Sequence, residues 1–157
     1  MQDIADLLAK HRFFYDLSPE WLQILAHCGQ NAFFKAGSFL AKESDPADVF
    51  YVMRSGIVAI ETYVPGHGSV TLQTLSDSEV IGWSWLFPPH KWVFDVHAFT
   101  DTHVIRLDGK CLRKKCEADP AMGYELLKRF SRVMIERLQA TRLRLIDMYG
   151  NVQQSAF

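Results

Sequence analysis

Gly37-Ser-Phe-Leu-Ala-Lys-Glu-Ser-Asp-Pro-Ala-Asp-Val-Phe-Tyr-Val-Met-Arg-Ser-Gly-Ile-Val58 reads as short β-strands turned back on one another. Apolar and β-branched residues cluster at 38–41, 49–54 and from 57 onward. Ser44-Asp45-Pro46 and Ser55-Gly56 between them are turn sequences. Gly37 and Gly56 fall where a tight turn asks for positive φ, which only glycine adopts without strain. The same punctuation continues outward. Strands are expected at 32–34, 38–41, 49–54, 57–63, 69–75, 80–82, 93–99 and 103–107. Eight short strands at this spacing predict a sandwich or jelly-roll barrel.

The flanks are helical. Ile4, Leu7 and Leu8 sit at helical spacing within 2–10. Ser18-Pro19 then supplies an N-cap and a first-turn proline for a second helix ending near Gly29. A short helix is expected over 110–117. Asp119-Pro120 starts a long one reaching Tyr149-Gly150. In that helix Leu127, Met134, Thr141 and Met148 recur every seven residues, and Ser131, Leu138 and Leu145 do the same, offset by four. This is a coiled-coil seam of about three heptads, expected to join two copies of the chain. Leu126, Phe130 and Val133 lie beside it and are expected against the barrel.

Composition narrows the function classes. With 157 residues, 48% hydrophobic content and a net charge of −1, the chain can bury a sizeable core and is not a globally basic nucleic-acid binder. No apolar run is long enough to span a bilayer, and the start Met1-Gln-Asp-Ile lacks the basic opening of a secretory signal, so cytoplasmic residence is expected. Cys28, Cys111 and Cys116 form no CxxC pair and read as buried, inert thiols rather than a disulfide or metal site. P-loop, GxGxxG, HExxH and GxSxG patterns are absent, and no nucleophile–base pair stands out, so no enzyme activity is expected.

The Gly37–Val58 stretch, a glycine-ended strand at Gly82 and the helical segment Glu136-Arg-Leu-Gln-Ala-Thr-Arg142 together resemble the cyclic-nucleotide-binding domain of the catabolite activator and fumarate–nitrate regulator (Crp/Fnr) superfamily, over about residues 15–150. The resemblance implies a mainly β fold with flanking helices: a double-stranded β-helix (jelly-roll) over 1–118, followed by a C-terminal dimerisation helix over 119–150. It also implies a phosphate-binding cassette built from Gly82, Trp83, Ser84, Trp85, Lys91, Trp92 and Val93, with Thr141 and Arg142 as ligand contacts from the long helix.

The cassette departs from the family pattern. Cyclic-AMP-binding members carry Gly-Glu and, further on, Arg-Ser/Thr-Ala, the glutamate meeting the ribose and the arginine the phosphate. Here Trp83 stands in place of the glutamate, and Trp92 falls at or near the arginine position. An arginine–phosphate pair contributes roughly 1.5–3 kcal/mol. Lys91 or His90 offers a point charge without the planar fork. The tryptophans either stack on a base or fill the old pocket. The space under Gly82–Ala98 is expected to be closed by aromatic side chains with no arginine facing it, while N–H groups of Ser84–Phe87, in a short helical turn, converge on an anion-sized spot.

The expected function is therefore that of a regulatory or sensor module, homodimeric, unable to hold cyclic AMP in the usual way, and answering an unidentified small effector or a protein partner. The alternatives are genuine cyclic-nucleotide binding through an altered cassette, or the effector domain of a Crp/Fnr-type transcription regulator lacking its helix-turn-helix. His97 and His103, on neighbouring predicted strands, offer a further one as haem or metal ligands. Family regulators follow the dimer helix with a helix-turn-helix. Asn151–Phe157 is too short for one, so no nucleic-acid contact is expected from this chain alone.

Overall fold

The computed structural model describes residues 3–155, with side chains through 150. Residue 2 of the first expected helix and the end of the Asn151–Phe157 tail lie outside the described residues. Helices α1 (Ile4–Lys10) and α2 (Pro19–His27) lead into eight strands. These are β1 (Gly29–Phe34), β2 (Phe39–Ala41), β3 (Val49–Ser55), β4 (Val58–Val64), β5 (Gly68–Leu75), β6 (Val80–Ile81), β7 (Asp95–Ala98) and β8 (Thr102–Asp108). Helices α3 (Gly109–Ala118) and α4 (Pro120–Ser155) close the chain. A 3-10 turn at Arg12–Phe14, unannounced by the sequence, joins α1 to α2.

The strands form two four-stranded antiparallel sheets in the orders β1-β8-β3-β6 and β2-β7-β4-β5. Chain neighbours alternate between the sheets except β4 and β5, which pair as a hairpin within one sheet, and this winding is the jelly-roll way of hiding edges. Strand β3 is buried on both faces from Val49 to Met53, because one face meets the roll interior and the other the helices, and only Arg54 and Ser55 at its end are exposed. The core divides accordingly. Tyr51, Met53, Ile60, Ile81, Trp92 and Val96 fill the roll, while Leu8, Leu25, Phe50, Trp85, Met122 and Phe130 pack between sheet and helices. The foot of α4 thus shares its core with the sheet.

The local signals act as their chemistry requires. The Ser18 hydroxyl accepts from the Trp21 N–H at 3.3 Å, and the Asp119 carboxylate accepts from the Met122 N–H at 3.2 Å, each offsetting an orphan donor at a helix start. Gly56 has φ 96°, and a Cβ there would lie 2.5 Å from the Asp101 carbonyl oxygen, so the β3–β4 turn admits no side chain.

Two expectations are corrected by pairing. Cys28 and Cys111 are disulfide-bonded, with Cα atoms 5.7 Å apart, and only Cys116 is a free thiol. The cause is register: β1 pairs with β8 so that Gly29 faces Leu107, and the Asp108 N–H donates to the Cys28 carbonyl at 2.8 Å. The first turn of α3 is thereby laid beside the end of α2. His97 and His103 are not brought together either. β7 and β8 belong to different sheets, where His97 Nδ1 lies 2.9 Å from Glu61 and His103 packs on Phe33.

His11 is buried, and its Nδ1 accepts from the Phe13 N–H at 3.1 Å, which leaves Nε2 buried without a hydrogen-bond partner. Burial lowers its pKa, against opposing effects of the Met53 and Glu79 carbonyls and of Asp77. The unfolded chain, with the ordinary imidazole value, then binds more protons in that range. Stability is present above the unfolded pKa and falls as pH drops through it. Urea midpoints measured from pH 8 to pH 5 are expected to decline, and His11→Gln to flatten that slope.

Candidate functional site

Strand β6 ends at Ile81 and is followed by Gly82, whose φ is 99°. A Cβ there would stand 2.7 Å from the Trp92 ring, so glycine is required because the indole occupies the concavity above it. From Trp83 to His90 the chain makes turns rather than a helical segment. The Leu86 N–H donates to Trp83 O at 3.0 Å and the Phe87 N–H to Ser84 O at 3.4 Å. Those two N–H groups, of the four in Ser84–Phe87 expected to converge on an anion, are spent locally. The segment returns along the acidic turn: the Ser44 N–H donates to Trp92 O at 2.8 Å, and the Trp92 N–H to Asp45 O at 3.0 Å.

The side chains then divide by direction. Trp92 is 5% exposed, stacks on Tyr51 and lies 6.2 Å from the Phe94 ring. Trp83 is half-buried and meets Phe94 edge-on at 5.8 Å. Trp85 points the opposite way. It is fully buried in the helix-side core, stacked on Phe50 at 5.3 Å and edge-on to Phe130, and so does not face the cassette. Ser84 is buried, whereas Lys91 and Val93 are exposed. The alternation that sends Trp92 and Phe94 inward sends Lys91 and Val93 to solvent.

An arginine does face the site, contrary to the sequence reading, and it comes from α4. The Arg137 guanidinium carbon lies 5.1 Å from the Trp83 ring centroid, and Nη2 donates to the Val80 carbonyl at the end of β6. Its Nη1 is buried with no partner among the described residues. Burial pushes its pKa down to about 10, with Glu79 and Glu136 opposing, so the group stays cationic at neutral pH. One heptad, about two helical turns, further along α4 the Arg144 guanidinium donates to Leu72 O of β5 at 2.6 Å. Arg137 and Arg144 follow core-facing Phe130 at seven-residue steps. That spacing is the sequence signal that would have placed both on the roll-facing side of α4.

Thr141 and Arg142, expected over a bound purine, are exposed. The Thr141 hydroxyl donates to the Arg137 carbonyl one turn back, at 2.9 Å. Of the seam, Leu127, Leu138, Leu145 and Met148 are exposed and Met134 is half-buried. Beside Arg137 a groove of about 390 Å³ opens between the 3-10 turn, the β5–β6 turn and α4, lined among others by Arg12, Gln73, Glu79 and Arg132.

This architecture has known counterparts. The chain is 25% identical over 143 residues to the CRP-like cAMP-activated global transcriptional regulator of Mycobacterium tuberculosis, which covers 91% of this chain and 62% of that protein. The chain thus spans about three fifths of the length of those curated relatives. A Geobacter metallireducens GS-15 structure assigned to the cyclic nucleotide-binding proteins superposes with a TM-score of 0.78 at 25% identity, covering 88% of this chain and 99% of that one. The sensor domain of the transcriptional regulator DNR from Pseudomonas aeruginosa shares the fold, with a TM-score of 0.68 at 22% identity over 85% of this chain and 89% of that one. The cyclic nucleotide-binding domain family matches residues 32–119, from within β1 to the residue before α4. That match takes in more than half of the chain, and the protein belongs to this family, in the Crp/Fnr superfamily of regulators.

Proposed function

We propose that this regulatory domain has its nucleotide site occupied by its own side chains, and that it signals through α4 without cyclic AMP held in the usual way. The observation that carries the reading is the Trp92 indole against Gly82, with Arg137 of α4 capping Trp83. Here an indole fills the concavity, and two arginines tie α4 to β5 and β6. A cation over an indole contributes about 0.5–2 kcal/mol. The groove beside Arg137, about 390 Å³, is the place for an unidentified small effector. The exposed leucines of α4 are the surface for a second copy of the chain. The helix is proposed as a dimerisation unit over 119–150, following the roll over 1–118.

The second reading, genuine cyclic-nucleotide binding through an altered cassette, is favoured by one feature: the unpartnered Nη1 of Arg137 offers a buried donor close to β6. Titration calorimetry with cyclic AMP and cyclic GMP separates the two. No saturable heat is expected below the millimolar range, and micromolar binding by the unmutated chain overturns the first reading. Trp83→Glu with Trp92→Arg restores both charges and empties part of the concavity, and is expected to gain weak cyclic-AMP affinity. Neither catalysis nor nucleic-acid contact is proposed for these residues. No helix among the described residues is long and apolar enough to cross a membrane, and we place the protein in the cytoplasm as part of the same proposal.

A further inference from the structure

The disulfide lies where its chemistry bears on α4. Cys28 caps the end of α2 and is 7% exposed, while Cys111, in the first turn of α3, is half-buried. An open depression beside Cys111 is lined by Lys110, Lys114, Lys115 and Asp108. Lys110 leans toward Asp48 at 3.7 Å, but Lys114 and Lys115 are exposed and make no ion pair among the described residues. The far end of α3 runs into Asp119, whose carboxylate accepts from the Trp21 indole of α2 at 3.0 Å and caps α4. The disulfide and this hydrogen bond are thus two ties between α2 and the α3–α4 corner. The third thiol, Cys116, lies under α4, where a Cβ on Gly123 would be 3.1 Å from its own Cβ. Burial, with Asp119 and Glu117 adding to it, raises that thiol's pKa and removes it as a competitor.

We propose that the Cys28–Cys111 pair is a reversible exchange site for small anionic thiols of the glutathione class, and that its state sets how firmly the α3–α4 corner is held to the roll. Access directs the attack. The thiolate of the incoming molecule forms a bond to the sulfur of half-buried Cys111, which lines the depression. The Cys28–Cys111 bond breaks, and its electron pair leaves on Cys28, which takes a proton from water. A second thiolate then attacks the sulfur of the molecule held on Cys111. Cys111 leaves as a thiolate and the two incoming thiols depart as their own disulfide. Two electrons pass to the protein and the thiol pair is oxidised. Lys114 and Lys115 attract the carboxylates of the incoming thiol and raise its local concentration.

The test uses the whole chain. It is equilibrated across a range of reduced-to-oxidised glutathione ratios, quenched with acid, denatured and labelled with a maleimide–polyethylene glycol. One reactive thiol is expected at the oxidising end and three at the reducing end, with native circular dichroism at both. Reduction is expected to lower the melting temperature by about 5–15 °C. One thiol at every ratio, three at every ratio, or loss of the native spectrum on reduction overturns the proposal. The charge argument is read separately. Lys114→Gln with Lys115→Gln is expected to slow reduction by glutathione by about tenfold while leaving the rate with uncharged 2-mercaptoethanol unchanged. Equal effects on both thiols, or on neither, remove anionic thiols as the substrate class.

Discussion

Glutamate in place of Leu138 and Leu145 is expected to leave the protein monomeric by light scattering, where the unmutated chain runs as a two-fold dimer at tens of micromolar. Leu138 is 70% exposed and Leu145 is 53% exposed, and Leu127 and Met148 stand open on the same seam. Ile135 and Ile146 widen the apolar surface. Meanwhile Leu126 and Phe130 are already buried against the roll, so the seam is not needed to cover the chain's own core. A parallel pairing of two α4 helices buries each seam residue in a hole formed by its partner. The double substitution puts unpaired carboxylates into that seam, each costing about 3–5 kcal/mol where water is excluded. One such cost alone weakens association by more than about a hundredfold. An unmutated chain already monomeric at that concentration would contradict the dimer.

Trp92→Ala is expected to destabilise the fold by about 3–5 kcal/mol, read as a shift of the urea midpoint at unchanged slope. The indole packs on Tyr51, Phe94 and the Gly82 backbone, so its removal leaves a cavity in the roll. The adjacent Val93→Ala serves as the control. Val93 is 57% exposed, and its truncation is expected to stay within about 0.5 kcal/mol. If Trp92→Ala cost no more than Val93→Ala, the concavity over Gly82 would not be filled by the indole. The proposed self-occupied site would then fail with it.

The two substitutions address different levels of one arrangement. Trp92 belongs to the roll and, in the function proposed above, closes the nucleotide site from within. Leu138 and Leu145 lie on the outer face of the helix that Arg137 and Arg144 fasten to the roll. A signal that loosened either arginine would alter how α4 is presented to a second copy. The Cys28–Cys111 bond acts on the same helix from its foot.

What the sequence determined by itself was local. All eight expected strands are present, although β1 starts at Gly29, three residues before the expected 32, and the strand expected over 93–99 is confined to Asp95–Ala98; the helix starts at Ser18-Pro19 and Asp119-Pro120 are capped by the residues named for it. Caps, turns and periodicity depend on neighbours within a few positions, so they are written in the chain. The absence of a glutamate after Gly82 and the presence of three tryptophans were legible for the same reason. What only the tertiary structure decided depends on elements distant in sequence. Sheet pairing of β1 with β8 joins Cys28 to Cys111 across 83 positions, and assignment of β7 and β8 to separate sheets parts His97 from His103. The packing of α4 across β6 brings Arg137 to Trp83. Trp85, two residues from Trp83, turns instead into the helix-side core because Phe50 and Phe130 offer it an apolar surface there. A side chain's direction within a turn is set by which face can bury it, and that face is assembled only when the sheets and helices pack together.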